Sequence, residues 1–351
     1  MLPIEVWEIV IESLWYHPQT LISCTLTCRA WHPKSRHCLQ SLRQARLHCV
    51  KDLNALVDEV VHSPDRARCL RELRIVVDTK DTSSTPTWVS KVTLTLPSKL
   101  PRLTALELSG IQSVAFDPLG VQVVSAFKTI TSLTFEGCSF PTFSQFGRIL
   151  LSLPSLKHLG VGDLEWAEYR TLPWILGPKR AKILRLRTLA IWTTRSTTWL
   201  GEFIWWLLTT ASRNTIQDLQ LRLRVSGDYS GLRDLLRAMS QLVYLEFMIP
   251  VVDLEFYGRV IATLSPHTKS LQVVILLDSE SDLDHPAWSS FDTLAQPSTY
   301  HPDLVIRVFA LVFHGGSTNQ PDWKVPQMAV LERLPVLRAK GLLYDADIDG
   351  S

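Results

Sequence analysis

From Leu70 onward, apolar residues return in one fixed spacing, three and then two positions apart. The groups are Leu70/Leu73/Ile75, Leu103/Leu106/Leu108, Ile130/Leu133/Phe135, Leu156/Leu159/Val161, Leu186/Leu189/Ile191, Ile216/Leu219/Leu221, Leu242/Leu245/Phe247 and Leu271/Val274/Leu276. The alternation that closes each group predicts a half-buried β-strand. Between the groups run apolar stretches at helical spacing: Val123, Val124 and Phe127; Phe143, Phe146 and Leu150; Phe203 to Leu208; Leu232 to Met239; Phe256 to Leu264. Leu53, Leu56, Val57, Val60 and Val61 form a helical stripe ahead of the first group, closed by the turn Ser63-Pro64-Asp65. Beyond Pro302, a Val305 to Val312 strand, a Val325 to Leu334 helix and a Leu337 to Tyr344 stretch predict a terminal unit from about residue 303. The segment Asp78 to Pro101 reads as a longer insertion, turn-rich around Asp81 to Pro86.

A strand followed by a helix, repeated, buries its apolar faces only against the neighbouring repeat. Successive groups start 26 to 33 residues apart, around the upper end of the leucine-rich range of about 20–29 residues. The predicted fold class is therefore an α/β repeat solenoid, leucine-rich-repeat-like, with one strand and one helix per repeat. A doubly wound nucleotide-binding sheet fits less well, because no strand is followed by a Gly-rich phosphate loop. The repeat departs from the leucine-rich pattern in one respect. Asn or Cys is expected three residues after the last apolar strand position, and only Cys138 supplies it.

Strand residues between the apolar anchors point to the other, concave face. They are Glu72 and Arg74; Ala105, Glu107 and Ser109; Ser132, Thr134 and Glu136; His158; Thr188, Ala190 and Trp192; Asp218, Gln220 and Arg222; Tyr244, Glu246 and Met248. Glu107, Glu136, His158, Trp192, Asp218, Gln220, Arg222, Tyr244 and Glu246 are the candidate substrate-binding residues, with Trp192, Arg222 and Tyr244 of the types that anchor interfaces. At Val273, Ile275 and Leu277 the same positions turn apolar, which predicts that the C-terminal segment covers this end. Six of the twelve tryptophans lie between Trp166 and Trp206; Trp199, Trp205 and Trp206 sit in a helical run and read as core.

The first fifty residues follow a different pattern. Leu2-Pro3 places a proline at a first helical position, and Val6, Ile9, Val10 and Leu14 continue an amphipathic helix to about Tyr16. His17-Pro18 breaks it. Leu21, Cys24, Cys28 and Trp31 line a second helix, and Pro33 starts a third that carries Leu39, Leu42 and Ala45. Three short helices have little core of their own, so their apolar faces call for a partner.

The run Leu2-Pro3-Ile4-Glu5-Val6, then Ile9, Leu14 and Leu21, and above all Cys28-Arg29-Ala30-Trp31, resembles the F-box, a three-helix motif. Trp7 stands where that family more often has leucine, and the second helix is a looser match. The resemblance implies docking onto the Skp-type adaptor of a cullin–RING ubiquitin ligase, with Leu2, Pro3, Val6, Ile9, Leu21, Cys28 and Trp31 at motif positions, either facing the adaptor or packing the helices together. Residues 1–48 are then the docking module and 49–351 the repeat body that binds a target protein. Such a body behind an N-terminal F-box resembles the large F-box families of mushroom-forming fungi. The alternative is a ligase-independent repeat scaffold for protein–protein interaction, with the three helices as an end cap.

Composition narrows the remaining classes. With 46% hydrophobic and 20% charged residues the chain is too apolar for disorder, and 36 basic against 34 acidic residues leave a net charge of +2, too little for a general nucleic-acid surface. No uncharged apolar stretch reaches membrane-spanning length. The N-terminus lacks a basic secretory leader, no Asn-x-Ser/Thr acceptor occurs, and five of six cysteines fall in the first fifth without framework spacing. These features predict reduced thiols in a cytoplasmic or nuclear protein. Cys24, Cys28 and His32 share a helical face needed for packing and lack the paired spacing of structural zinc. Asp345, Asp347, Asp349 and Gly350 match the start of a calcium loop whose twelfth position lies past Ser351. The basic loop Gly177 to Lys182 is a weak nuclear signal. Hydrolase, nucleotide-binding and metalloprotease motifs are missing, and His62, His158, His267 and His314 have no partners in the sequence. The expectation is a non-catalytic subunit with no metal and no cofactor.

Overall fold

The computed structural model describes residues 3–14, 17–77, 88–112, 124, 126–166, 184–194, 198–223, 231–295, 303–312, 323–324, 327–340 and 342–343. Leu2, Tyr16, the Asp81 to Pro86 turn, Val123, Trp174, the basic loop Gly177 to Lys182, His314, Val325, Tyr344 and the acidic tail lie outside the described residues. The chain has an α/β fold with a mostly parallel sheet. It divides into two compact units, Met1–Leu156 with Leu164–Ile175, and Lys157–Asp163 with Leu176–Ser351.

The first unit opens with helices α1 (Ile4–Ser13), α2 (Pro18–Thr27) and α3 (His32–Leu42). Pro3 is the N-cap of α1, one place earlier than expected, and Pro18 starts α2 as well as ending α1. Cys28 caps α2 in an extended conformation, and Trp31 lies beyond that helix, in the turn that leads into α3. Ala45 is not helical. The chain leaves α3 at Leu42 and forms strand β1 (Gln44–Leu47), where Ala45 pairs with Leu73. The Arg43 carbonyl accepts the N–H groups of Arg71 and Glu72, so a strand here satisfies backbone groups at the sheet edge that a longer helix would leave unpaired.

Strands β2 (Glu72–Val76), β3 (Ala105–Ser109) and β4 (Ser132–Glu136) continue the parallel ladder. Equivalent apolar residues sit side by side: Leu73, Leu106 and Leu133 in one row, Ile75, Leu108 and Phe135 in the next, each at most 3% exposed. The turn at Ser63 does end the Val50–His62 helix, but Ser63 then accepts a hydrogen bond from the Arg66 N–H and starts a short Pro64–Cys69 helix. The supposed insertion contributes a helix too, Trp88–Thr95. Gly110 and Gly137 leave β3 and β4 with φ of 70° and 59°, a turn that suits glycine because it has no Cβ. Cys138, fully buried, donates its thiol to the Leu108 carbonyl at 3.2 Å. Burial pushes that thiol up to about 12, so it serves as a neutral donor for a loop carbonyl. Strands β5 (Ser139–Phe140) and β7 (Glu165–Trp166) make a separate parallel pair. Beneath it Phe135, Phe140, Phe143, Phe146 and Trp166 pack edge-on or tilted, neighbouring ring centroids being 5.2–5.9 Å apart.

The second unit repeats the ladder in β6 (His158–Gly162), β8 (Thr188–Thr193), β9 (Asp218–Leu223), β10 (Tyr244–Pro250), β11 (Ser270–Leu277) and β12 (Val305–Val312). One row runs Leu159, Leu189, Leu219, Leu245, Leu271 and Ile306; the next runs Val161, Ile191, Leu221, Phe247, Val273 and Val308. A two-residue strand, β13 (Trp323–Lys324), closes the edge antiparallel. Helices Thr198–Thr209, Leu232–Ala238, Leu254–Ile261 and Ala287–Leu294 fall in the intervals. Gly258 allows two of them to touch, since a Cβ there would stand 3.0 Å from Leu294 Cβ.

The expected register of the last group is wrong. Leu271 pairs with Leu245 and Val273 with Phe247, so the buried Thr268, not Leu271, occupies the first anchor position. Val273, Ile275 and Leu277 therefore face the helices, at no more than 1% exposure, and Ser270, Gln272, Val274 and Leu276 take the opposite face. The segment expected to cover this end instead extends the sheet edge as β12. Trp199 and Trp206 are core as read, but Trp205 is 51% exposed.

The C-terminal Pro335–Ala339 helix is held by a buried acid. Asp292, on the Ala287–Leu294 helix, accepts the N–H groups of Val336 at 2.8 Å and Leu337 at 2.9 Å. Asp292→Ala should lower stability by about 1.5–3 kcal/mol, the range for hydrogen bonds to a charged group, with Asp292→Asn losing less. Urea unfolding monitored by circular dichroism measures both.

Candidate functional site

Two surfaces collect the residues singled out by sequence. The first is the outer side of α1 and α2. The shared core of the three helices is Ile11, Leu21 and Cys38, with Leu14, Trp31 and Leu39 packed on it. Trp7 and Trp31 meet with ring centroids 4.7 Å apart, and Lys34 pairs with Glu12 to tie α3 to α1. This core is too small for the remaining apolar residues. Val6 is 38%, Ile9 67%, Val10 41% and Leu26 81% exposed, and Pro3 and Cys28 are exposed as well. Leu21 and Trp31 thus pack inward while Pro3, Val6, Ile9 and Cys28 face out. The sequence reading missed Leu26, whose period within the second helix is the only signal for it.

The second surface is the polar face of the sheet, described for each unit separately. In the first unit Arg74 lies between two acids, its Nε 2.8 Å from Glu107 Oε1 and its Nη2 3.9 Å from Glu136 Oε2. Burial raises the Glu107 carboxyl above its ordinary range, and Arg74 opposes that shift. Gln44 donates to Glu72 at 2.7 Å, so β1 extends the same face.

In the second unit the face is organised around one buried carboxylate. Glu246, 8% exposed, lies 3.0 Å from Arg222 Nε and accepts the Tyr244 hydroxyl at 3.1 Å. These two donors offset the cost of removing the charge from water. Burial, together with Glu246, pushes the Tyr244 hydroxyl up to about 12. Asp218 is raised by burial and then by Glu246, while Gln220 and His158 act the other way. Gln272 reaches the Tyr244 hydroxyl at 3.5 Å; it went unnoticed because the register of β11 was misplaced. The Trp192 indole packs against Gly162, where an added Cβ would stand 1.9 Å from its Nε1. Asp163, just after, adopts φ of 46° and compensates with side-chain bonds from the Thr194 N–H at 2.7 Å and hydroxyl at 2.6 Å. Trp192, Asp218, Gln220, Arg222, Tyr244 and Glu246 therefore share one face of adjacent strands, with exposed His158 on β6 beside them.

Among the described residues no group of three or more His, Cys, Asp or Glu is placed to hold a metal ion; Cys24 is buried and Cys28 exposed, and all six cysteines are free. Among the described residues no helix is long and apolar enough to cross a membrane. No family model and no curated protein matches the chain.

The close fit of Trp192 on Gly162 gives a direct check. Gly162→Ala should displace the indole and destabilise the protein by about 1–3 kcal/mol. In a Trp192→Ala background the same substitution should cost almost nothing, and a double-mutant cycle of thermal melts reads the difference.

Proposed function

We propose that the chain is the target-recruiting subunit of an SCF-type ubiquitin ligase, docking a Skp-type adaptor, and through it a cullin, with its N-terminal F-box-like helices. Its leucine-rich-repeat-like body, a solenoid on this reading, binds the target protein. The observation that carries the proposal is the outward apolar side chains of α1 and α2: Val6, Ile9, Val10 and Leu26 stay exposed on a module whose packed cluster, among the described residues, centres on Ile11, Leu21 and Cys38. An apolar patch of this kind on a small module is the usual mark of a partner surface. The subunit contributes no chemistry of its own on this account. It acts by holding a target near the ubiquitin-carrying enzyme, which raises the effective concentration of the target's lysines.

One observation favours the scaffold alternative. Strand β1 follows α3 directly and pairs with β2, as an end cap would. A cap, however, buries its apolar side against the repeats it closes, whereas Val6, Ile9, Val10 and Leu26 stay 38–81% exposed. The polar face around Trp192, Arg222, Tyr244 and Glu246 supports target binding in the body, because aromatic and arginine side chains held in place by neighbours bind at low entropic cost.

Co-expression with a Skp-type adaptor and size-exclusion chromatography tests the reading. Wild type should elute as a one-to-one complex, and Ile9→Glu with Leu26→Glu should abolish it without changing the melting temperature, since neither side chain is in the core. A wild-type chain that is monodisperse alone and ignores the adaptor would return the scaffold alternative. Trp31→Ala is the poorer probe, because Trp31 packs on the core of the module.

A further inference from the structure

A groove of about 490 Å³ in the first unit has four arginines among its nine lining residues. Arg43 follows α3, Arg68 and Arg71 flank the end of the Pro64–Cys69 helix, and Arg102 precedes β3. Asp65 is the one acid among the lining residues, and Ile22 of α2 forms part of an apolar wall. The acid neutralises little: Arg68 Nη1 lies 3.5 Å from Asp65 Oδ1, with the two side chains 66% and 71% exposed, a pair that water and salt screen strongly. Arg43, Arg71 and Arg102 have no carboxylate partner among the described residues. Four arginines against one aspartate leave the groove with more positive charge than the whole chain, whose net charge is +2.

The arginines are also positioned. Arg71 Nη1 donates to the carbonyls of Arg68 at 2.6 Å, Leu70 at 3.3 Å and Arg102 at 3.5 Å. All three bonds fall on one nitrogen, which holds the guanidinium at the wall and leaves Nε and Nη2 without a partner among the described residues. Arg43 and Arg102 line the same groove and are exposed, so both can turn to a ligand held there. Guanidinium groups match phosphate oxygens in forked pairs, and an anion would relieve the repulsion among them. The space far exceeds one oxyanion, and the Ile22 wall suits an aliphatic side chain next to the charge. A nucleic-acid backbone would need a longer basic track than these residues provide.

We propose that this groove binds a phosphorylated segment of a protein partner, the phosphate held by Arg43, Arg71 and Arg102 and an adjacent aliphatic side chain resting on Ile22. The site is separate from the outward face of α1 and from the polar face of the sheet, and it does not depend on the ligase reading.

The test uses the full chain and fluorescein-labelled short peptide libraries, randomised around a fixed central phosphoserine or a fixed serine, with binding read by fluorescence anisotropy. The phosphoserine library should bind, the serine library should not, and Arg43→Gln with Arg102→Gln should weaken binding by about tenfold or more, each arginine–phosphate pair contributing over a kcal/mol. Both side chains are exposed, so an unchanged thermal melt separates lost binding from lost folding. Equal binding of the two libraries, or an affinity unmoved by the double substitution, would overturn the proposal. Peptides that bind no more tightly than competing inorganic phosphate would show a site for the free ion only, and tighter binding of oligo-dT than of any peptide would show a nucleic-acid site; either result rejects the phosphopeptide.

Discussion

Leu73, Leu106 and Leu133 stand side by side on adjacent parallel strands, as do Leu159, Leu189, Leu219, Leu245, Leu271 and Ile306 in the second unit. The strands enter alike. The carbonyl just before one strand accepts two consecutive N–H groups at the start of the next: Arg71 from Thr104 and Ala105, Arg187 from Gln217 and Asp218, Gln217 from Val243 and Tyr244. Side-chain rows and backbone pairs thus fix the same register. A one-residue slip would turn a whole apolar row to the polar face and break the entry bonds together. Helices, turns and both faces of the sheet are placed by that register.

Polar chemistry is confined by it to one face, and there the side chains are supported rather than free. Arg74 is shared between Glu107 and Glu136, and Arg222 and Tyr244 converge on Glu246. Held in this way, a surface arginine or tyrosine loses little freedom when it meets a partner. The N-terminal helices stand apart from this logic. Their few buried residues leave Val6, Ile9 and Val10 of α1 and Leu26 of α2 exposed, and the proposed adaptor contact lies on these side chains.

Much of this was legible because the apolar spacing repeats: seven of the eight sequence groups fall on strands in the register they imply. The exceptions have physical causes. Ala45 hid β1, since alanine is a good helix former and only its pairing with Leu73 makes it a strand residue. Thr268 hid the register of β11, because a polar residue fills an anchor position that is apolar in the other repeats. The Gly110 N–H bond to the Glu136 carbonyl and the Cys138 thiol bond to the Leu108 carbonyl join residues far apart in the chain, which local patterning does not announce. On the functional surfaces, strand alternation identified Trp192, Asp218, Arg222, Tyr244 and Glu246, but not that Glu246 is their buried centre. In the N-terminal helices periodicity found the apolar positions, while the division between core and outward residues came only from packing.

The central functional claim concerns which surface meets the adaptor. Hydrogen–deuterium exchange of the full chain, alone and with a saturating Skp-type adaptor, tests it most directly because it reads every segment in one experiment. The account predicts added protection in α1 and α2, from residue 4 to residue 27, with the sheet strands of the second unit unchanged. Protection across β8 to β10 with α1 and α2 unaffected, or no protection anywhere, would contradict it.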